Sequence, residues 1–237
     1  MGDFKHMKKY LENLIIPDYI KRIKIDVGLS YNAPVSQMLL ERDDDVFIFG
    51  FEPNPESIEC IVNKTRTYGA SVRLDRKYID ENRIKILPIA LGNTETEGVV
   101  DFYVAEEDPG CSSLHPPIDL RITSRRTIKV PIFSLKHFFD TFDWNRFKYI
   151  EWLKIDAQGS DLNILIGAGD YLKERVVYVT AEADGRQYAD CDSCNTENIV
   201  DYMNSQGFVQ VSHPNTVDPT FLNPKFDHLK DSIYIKQ

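Results

Sequence analysis

The chain has 237 residues, with 28 Lys and Arg against 37 Asp and Glu, and a net charge of −9. That length suits a single α/β domain with one sizeable core, and the acidity argues against a nucleic-acid partner, which would need clustered Lys and Arg. No stretch approaches about 18 consecutive apolar residues, and the start "MGDFKHMKKYLENLIIPDYI" lacks the apolar centre of a signal peptide, so we expect no membrane span and a cytoplasmic protein.

Residues 4–16 place Phe4, Met7, Leu11, Leu14 and Ile15 at helical spacing, and Pro17 should end that helix. We take residues 1–20 as a helical extension and 21–237 as one domain. Met1-Gly2 has the start of a myristoylation signal, but His6 stands where Ser or Thr is wanted. Strands and helices then alternate. "RIKIDVG" is a strand running into Gly28, and "APVSQMLLER" puts Val35, Met38 and Leu39 on one helical face. "VFIFGFEP" is a continuous apolar run that stops at Glu52, the pattern of a strand buried on both faces. "NPESIECIVNKTRTYG" opens with Asn54 as cap and Pro55 in the first turn, and should run to Gly69.

"RIKILPIALG" is a further strand, and "EGVVDFYVAE" alternates like a strand with one exposed face. "IKVPIFSLKHFFDTF" is a strand followed by a helix from about Ser134. "YIEWLKIDAQGS" ends in an acid and a glycine, "DLNILIGAGDYLKE" is a helix, and "RVVYVTAEADG" is a strand ending in acids. After the helix "TENIVDYMNSQGF", the stretches "GFVQVSH" and "DSIYIK" are candidates for a closing pair of strands. Such alternation predicts a mostly parallel sheet with helices on both faces and one antiparallel strand at an edge.

Of the four cysteines, Cys60 and Cys111 stand alone. Cys191 and Cys194 form one CxxC in a polar loop with no second pair, so we read them as loop thiols, neither zinc-binding nor redox-active. "RITSRRTIK" carries Arg121, Arg125, Arg126 and Lys129; it is either a solvated loop and strand edge or a contact for an anionic substrate or glycan.

In a doubly wound sheet, ligands bind beyond the carboxyl ends of the strands. After the first strand comes "DVGLSYN". A dinucleotide loop needs G-x-G-x-x-G for close approach to a pyrophosphate, and a P-loop needs G-K-[ST]. Here Gly28 is alone, which disfavours an NAD-dependent oxidoreductase. One tight-turn glycine followed by small polar side chains suits an amino-acid carboxylate and ammonium instead. Twenty-six residues after Asp26 stands Glu52, placed to accept from both hydroxyls of a ribose. A ribose with an amino-acid end and no diphosphate describes S-adenosylmethionine.

The segments "IDVGLSYN", "FGFEPNPES", "ILPIALGN", "DPGCSSL" and "WLKIDAQGSDLNILIGA", in that order, resemble the FkbM family of S-adenosylmethionine-dependent methyltransferases over roughly residues 23–235. The resemblance implies a Rossmann-like class I methyltransferase fold, an α/β seven-stranded mostly parallel sheet with one antiparallel strand and helices on both faces. It implies S-adenosylmethionine as cofactor, with S-adenosylhomocysteine as product. Carried over by position, Asp26, Gly28 and Ser30 would line the methionine end, Glu52 the ribose, Pro53 and Asn54 the adenosine side, and Ala90 and Leu91 the adenine. Ser113 of "GCSSL" belongs to the same cofactor set, and Asp156 and Gln158 would face the reaction centre. The departures are Asn32 for a glycine, Gln158 for the common Glu, and Asp161 for the other Glu. We expect Tyr31 and Asn32 to touch or cover the cofactor.

An alcohol acceptor benefits from a general base. The candidates are Asp156, Asp184 and His115, with Glu182 beside them; each could instead be a turn or loop residue. Asp156, Glu182 and Asp184 could also meet around Mg²⁺, but Gln158 thins the charge there and we expect no metal. The acceptor the family implies is a sugar or glycan hydroxyl, free or linked to a lipid or nucleotide. Lipid, polyketide-like or protein acceptors, and a non-catalytic binding protein with the same fold, are the alternatives.

Overall fold

The computed structural model describes residues 5–65, 68–118, 125–183, 188–189, 191 and 195–233. Helix α1 (Lys5–Leu11) lays Met7 into the core, and stops short of Pro17 because Asn13 turns left-handed at φ 61°. Strand β1 (Arg22–Val27), helix α2 (Pro34–Arg42), strand β2 (Val46–Phe51) and helix α3 (Pro55–Asn63) follow as the alternation predicts. The Asn54 side chain caps α3 by accepting from the Glu56 N–H, and left-handed Lys64 ends it before Gly69. A short α4 (Arg76–Asp80), capped by Asp75, was not foreseen.

Strand β3 (Ile84–Leu87) ends at Pro88, which has no N–H to extend the ladder. The rest of that apolar run, β4 (Ala90–Leu91), therefore joins a separate three-stranded sheet with β5 (Gly98–Ala105) and β6 (Arg125–Phe133), in the order β4-β6-β5. Helix α5 (Leu135–Phe139) opens on a capping box made by Ser134 and His137. After β7 (Ile150–Ile155), the stretch expected as one helix is two, α6 (Asp161–Ile166) and α7 (Tyr171–Arg175). At the break, a Cβ on Gly167 would stand 2.3 Å from the Gly92 carbonyl oxygen, and Gly169 is left-handed at φ 58°.

Then come β8 (Val176–Ala181), α8 (Thr196–Ser205), β9 (Val209–Gln210) and β10 (Thr220–Leu222). The closing pair differs from the expected one. "TFL" at 220–222 supplies the strand beside β8, while Asp231 and Ser232 of "DSIYIK" end a 3-10 segment, Pro224–Ser232. The rest of that stretch, 234–236, lies outside the described residues. Three residues between Pro219 and Asn223, two of them apolar, are too short a run to stand out by periodicity.

The main sheet has seven strands in the order β3-β2-β1-β7-β8-β10-β9. The pairs β3–β2, β2–β1, β1–β7 and β7–β8 are parallel, and β10 is antiparallel to both β8 and β9. The one reversed strand thus lies second from the edge. One face packs Ile23, Ile25, Phe49, Phe51, Leu153 and Ile155 against Met7, Phe138, Leu165 and Met203. The other packs Ile48, Trp152 and Tyr178 against Leu39, Leu40, Leu74 and Phe226. Burial on both faces is why the central strands are continuously apolar. Among the described residues, no helix is long and apolar enough to cross a membrane.

Candidate active site

The order of the sheet reverses between β1 and β7, and a crevice opens there at the carboxyl ends of the strands. Gly28 closes β1 at φ +77°. A Cβ at that position would stand 1.9 Å from the Asp156 carbonyl oxygen, so only glycine lets the ends of β1 and β7 approach. The crevice is a cleft of about 280 Å³, close to the lower bound of about 300 Å³ for small-molecule sites.

Most of the residues predicted for the cofactor meet in it. Asp26, Gly28, Ser30, Tyr31, Asn32, Glu52, Pro53, Ala90, Leu91, Asp156 and Gln158 all line the cleft. Asn54 and Ser113 stand behind it. The Asn54 backbone N–H donates to Glu52 Oε1 at 2.9 Å, and Ser113 Oγ donates to the Gln158 carbonyl at 2.6 Å. His115 is not among the lining residues; its ring lies against the Gly159 turn. Asp184 falls outside the described residues.

Tyr31 packs its ring on Tyr68 at 4.8 Å, and Asn32 Nδ2 donates to the Val72 carbonyl at 2.9 Å. The left-handed residues of this loop are Ser30 (φ 55°) and Ala33 (φ 47°). Asn32 is not one of them, so no glycine is required where the family keeps one. The 3-10 turn Pro109–Cys111 overhangs the loop, and a Cβ on Gly110 would lie 3.3 Å from Ser30 Oγ.

The electrostatics centre on Lys154. Its Nζ stands 3.3 Å from Asp26 Oδ1 and 3.4 Å from Asp156 Oδ2. Burial works against its charge, but the two carboxylates outweigh burial and hold the ammonium above its ordinary value. Burial raises Asp26, opposed by Lys154 and by Ser36, whose hydroxyl donates to Oδ2 at 2.7 Å. Burial also lifts Glu52 to about 8, against the backbone N–H groups of Asn54 and Ser30 that favour its carboxylate.

Asp156 and Glu182 form a second group. Gln158 Nε2 donates to Asp156 Oδ1 at 2.8 Å and to Glu182 Oε2 at 2.7 Å, and Gln158 Oε1 accepts from the Tyr188 hydroxyl at 2.7 Å. Burial, then the neighbouring Asp156 charge, raises Glu182 to about 9, so the pair of carboxyls resists losing both protons. Burial opposes charge on Asp156, but Lys154, Glu182 and Gln158 hold it below its usual value. The Asp156 side chain keeps 41% of its surface open. Among the described residues, no group of three His, Cys, Asp or Glu side chains is arranged to hold a metal ion.

Two partners escaped the sequence reading. Lys154 was visible as a lone cation in a buried strand, and its register partner on β1 is Asp26. Tyr188 carried no local signal, because its contact with Gln158 spans 30 residues. Gln158, read as the loss of an acid, instead joins two carboxylates. The basic stretch resolves into pairs: Arg126 with Glu56 and Glu106, and Lys129 with Asp101 at 2.8 Å. Arg125 bonds to the Pro117 carbonyl, and Arg121 lies outside the described residues. Cys191 Sγ donates to the Gly159 carbonyl at 2.9 Å.

The donors and acceptors of the cleft match S-adenosylmethionine in kind. Glu52 offers a buried carboxylate to hydroxyl donors. Ile89, Ala90, Leu91 and Phe102 form an apolar wall for a flat base. Lys154 and Asp26 offer opposite charges for an amino-acid end.

The model of a family described as methyltransferase FkbM domain matches residues 26–209. No curated protein matches the chain. Solved structures with a similar course include a fibrillarin pre-rRNA processing protein of Methanococcus jannaschii (TM-score 0.44, 8% identity, covering 90% of this chain and 71% of that one). The delta-N METTL16 MTase domain (TM-score 0.37, 10% identity, 92% and 81%) is another. So is the human methyltransferase 10 domain containing protein (TM-score 0.35, 10% identity, 92% and 79%). Likenesses at this level say nothing of this chain's chemistry.

Proposed function

The chain belongs to the FkbM methyltransferase family and is an S-adenosylmethionine-dependent methyltransferase, and from that premise we propose that its acceptor is a hydroxyl of a sugar or glycan. In this reading Glu52 accepts from the ribose hydroxyls, and Ala90, Leu91 and Phe102 cover the adenine. Lys154, held in place by Asp26, meets the carboxylate of the methionine. Asn54 fixes Glu52 from behind, and Ser113 does the same for Gln158.

When bound, the cofactor supplies a methyl group whose bond to sulfur breaks with its electron pair left on sulfur. The donor is already activated, so the chain has mainly to align an acceptor and exclude water. Asp156 orients the acceptor hydroxyl and takes its proton as the oxygen gains the methyl group. Glu182, whose carboxyl burial and the Asp156 charge push up, hydrogen-bonds to Asp156 and steadies its charge. The carrying observation is the partly open Asp156 carboxylate at the β1–β7 crevice, tied to Lys154, Gln158 and Glu182. Of the two base candidates among the described residues, Asp156 lines the cleft and His115 does not.

The test is methyl transfer from labelled cofactor to a panel of glycosides, lipids and peptides. Glycosides should be labelled, and Asp156→Asn should lower turnover by about 100-fold or more, in line with general acid–base catalysis. Labelling of lipids or peptides alone, or full turnover in Asp156→Asn, would contradict the reading.

A further inference from the structure

Gln158 stands on the turn after β7 at φ 50°, a left-handed conformation that side chains other than glycine rarely adopt. Its neighbours keep it there. Ser113 Oγ donates to the Gln158 carbonyl at 2.6 Å, and a Cβ on the following Gly159 would stand 2.6 Å from Cys191 Sγ. Backbone strain that the surroundings maintain points to a side chain whose aim matters. We infer that Gln158 is a positioning residue whose side-chain amide holds Asp156 and Glu182 where a divalent cation would otherwise have to hold them, so that methyl transfer by this chain needs no added metal. The inference rests on the reading of Asp156 as the base.

A primary amide has two N–H donors and one oxygen acceptor. Both donors of Gln158 are spent on carboxyls, Asp156 Oδ1 at 2.8 Å and Glu182 Oε2 at 2.7 Å. The oxygen takes the Tyr188 hydroxyl at 2.7 Å. That contact fixes the sense of the amide. Turned over, it would set its oxygen against two carboxyl oxygens.

Two carboxylates this close repel each other unless a proton or a positive charge stands between them. Oxygen ligands gathered in this way are what Mg²⁺ and Mn²⁺ bind. Here the chain itself supplies what a cation would. The Asp156 and Glu182 carboxyls hydrogen-bond to each other, and the amide bridges them. The positive charge comes from Lys154, whose Nζ stands 3.4 Å from Asp156 Oδ2. Asp156 therefore has one oxygen held by an amide and the other by an ammonium, and part of its surface stays open to an acceptor. Gln158→Glu would exchange the two donors for a third carboxylate, and a bound cation would relieve the repulsion.

Two measurements on the full chain test this. In one, methyl transfer from labelled S-adenosylmethionine to methyl glycosides of hexoses and deoxyhexoses is followed in excess EDTA and then with Mg²⁺ or Mn²⁺. In the other, Mn²⁺ is titrated into the chain loaded with S-adenosylhomocysteine and read by electron paramagnetic resonance. The wild type should turn over alike in EDTA and in metal, within about twofold, and show no Mn²⁺ site that Asp156→Asn removes. Gln158→Met keeps the side-chain length without the donors. It should lose at least about tenfold in turnover, with metal or without, while the S-adenosylhomocysteine Kd stays within about twofold. Gln158→Glu should lose as much in EDTA, gain a Mn²⁺ site and recover at least about tenfold when Mn²⁺ is added. A merely structural role would cost turnover and cofactor affinity together and would not answer to metal.

Wild-type transfer that EDTA abolishes would overturn the inference without recourse to any variant. So would full turnover in Gln158→Met, or a folded Gln158→Glu that takes up no Mn²⁺. If no glycoside is labelled, the sugar reading fails alone and the Mn²⁺ titrations still decide, since a wild-type site that Asp156→Asn removes overturns the inference. Full turnover in Asp156→Asn would defeat the base reading, and a folded chain that binds no S-adenosylhomocysteine the cofactor reading; either takes this inference with it.

Discussion

Gly28 shows how one residue misleads when it is read by motif and instructs when it is read by geometry. As one glycine of a missing G-x-G-x-x-G it looks like a remnant. In the structure it is the point where the β1 backbone passes the Asp156 carbonyl, with no room for a Cβ. Ser30 and Ala33 hold left-handed conformations that cost about 1–2 kcal/mol each, a strain typical of ligand loops. Glu52 carries the pH dependence. Its usual value of 4.5 rises to about 8 because burial disfavours the carboxylate. The folded chain therefore holds a proton between pH 4.5 and 8 that the unfolded chain has lost, and ligand-free stability falls as pH rises through that window. Ribose hydroxyls donate to the ionised form, so S-adenosylhomocysteine binding should release a proton and tighten from pH 6 towards 8. In Glu52→Gln the affinity should be weaker and flat with pH. Calorimetry across that range checks both; a flat wild-type profile would contradict the role given to Glu52.

Three loops meet over the carboxyl ends of the strands, and their joints decide how firmly Gln158 is held. Ser113 Oγ reaches the Gln158 carbonyl, and the Tyr188 hydroxyl lies 2.7 Å from Gln158 Oε1 and 3.0 Å from the Cys111 carbonyl. Pro117 pairs with Tyr188, and the Ala189 N–H donates to the Pro116 carbonyl. Tyr188→Phe should leave Gln158 with an unmet acceptor, at a cost of about 1–3 kcal/mol. We expect turnover to fall about tenfold or more, with S-adenosylhomocysteine affinity little changed. Equal losses in both would mean that Tyr188 only supports the fold. Elements that announced themselves locally were legible in the sequence. Asn54, Pro55 and Ser134 marked helix starts, and the apolar runs of β1, β2 and β7 marked buried strands. Contacts between distant segments were not. The split of α6 from α7 comes from Gly167 meeting Gly92, and the diversion of β4 comes from Pro88 and a second sheet. Lys154 gained its meaning only from its register with Asp26.

At the scale of the molecule, both faces of one sheet are buried, and the candidate site residues collect where its order reverses. The alternation of strands and helices was enough to place that crevice, because the position follows from topology. A ligand that binds only the folded chain adds about 2.7 kcal/mol at 100 times its Kd. For a domain of this size each kcal/mol moves the Tm by roughly 2–4 °C. Saturating S-adenosylhomocysteine should therefore raise the Tm by about 5–10 °C in a thermal-shift measurement, while NAD should leave it unchanged. A shift with NAD instead would contradict the reading of the Gly28 loop.

The central claim is that the cleft seats the cofactor through Glu52. Calorimetric titration of S-adenosylhomocysteine into the wild type and Glu52→Ala tests it most directly. We predict micromolar binding by the wild type, weakened at least about tenfold in the variant, which loses hydrogen bonds to a charged group worth roughly 1.5–3 kcal/mol each. No binding by well-folded wild type, or equal binding by Glu52→Ala, would contradict the account.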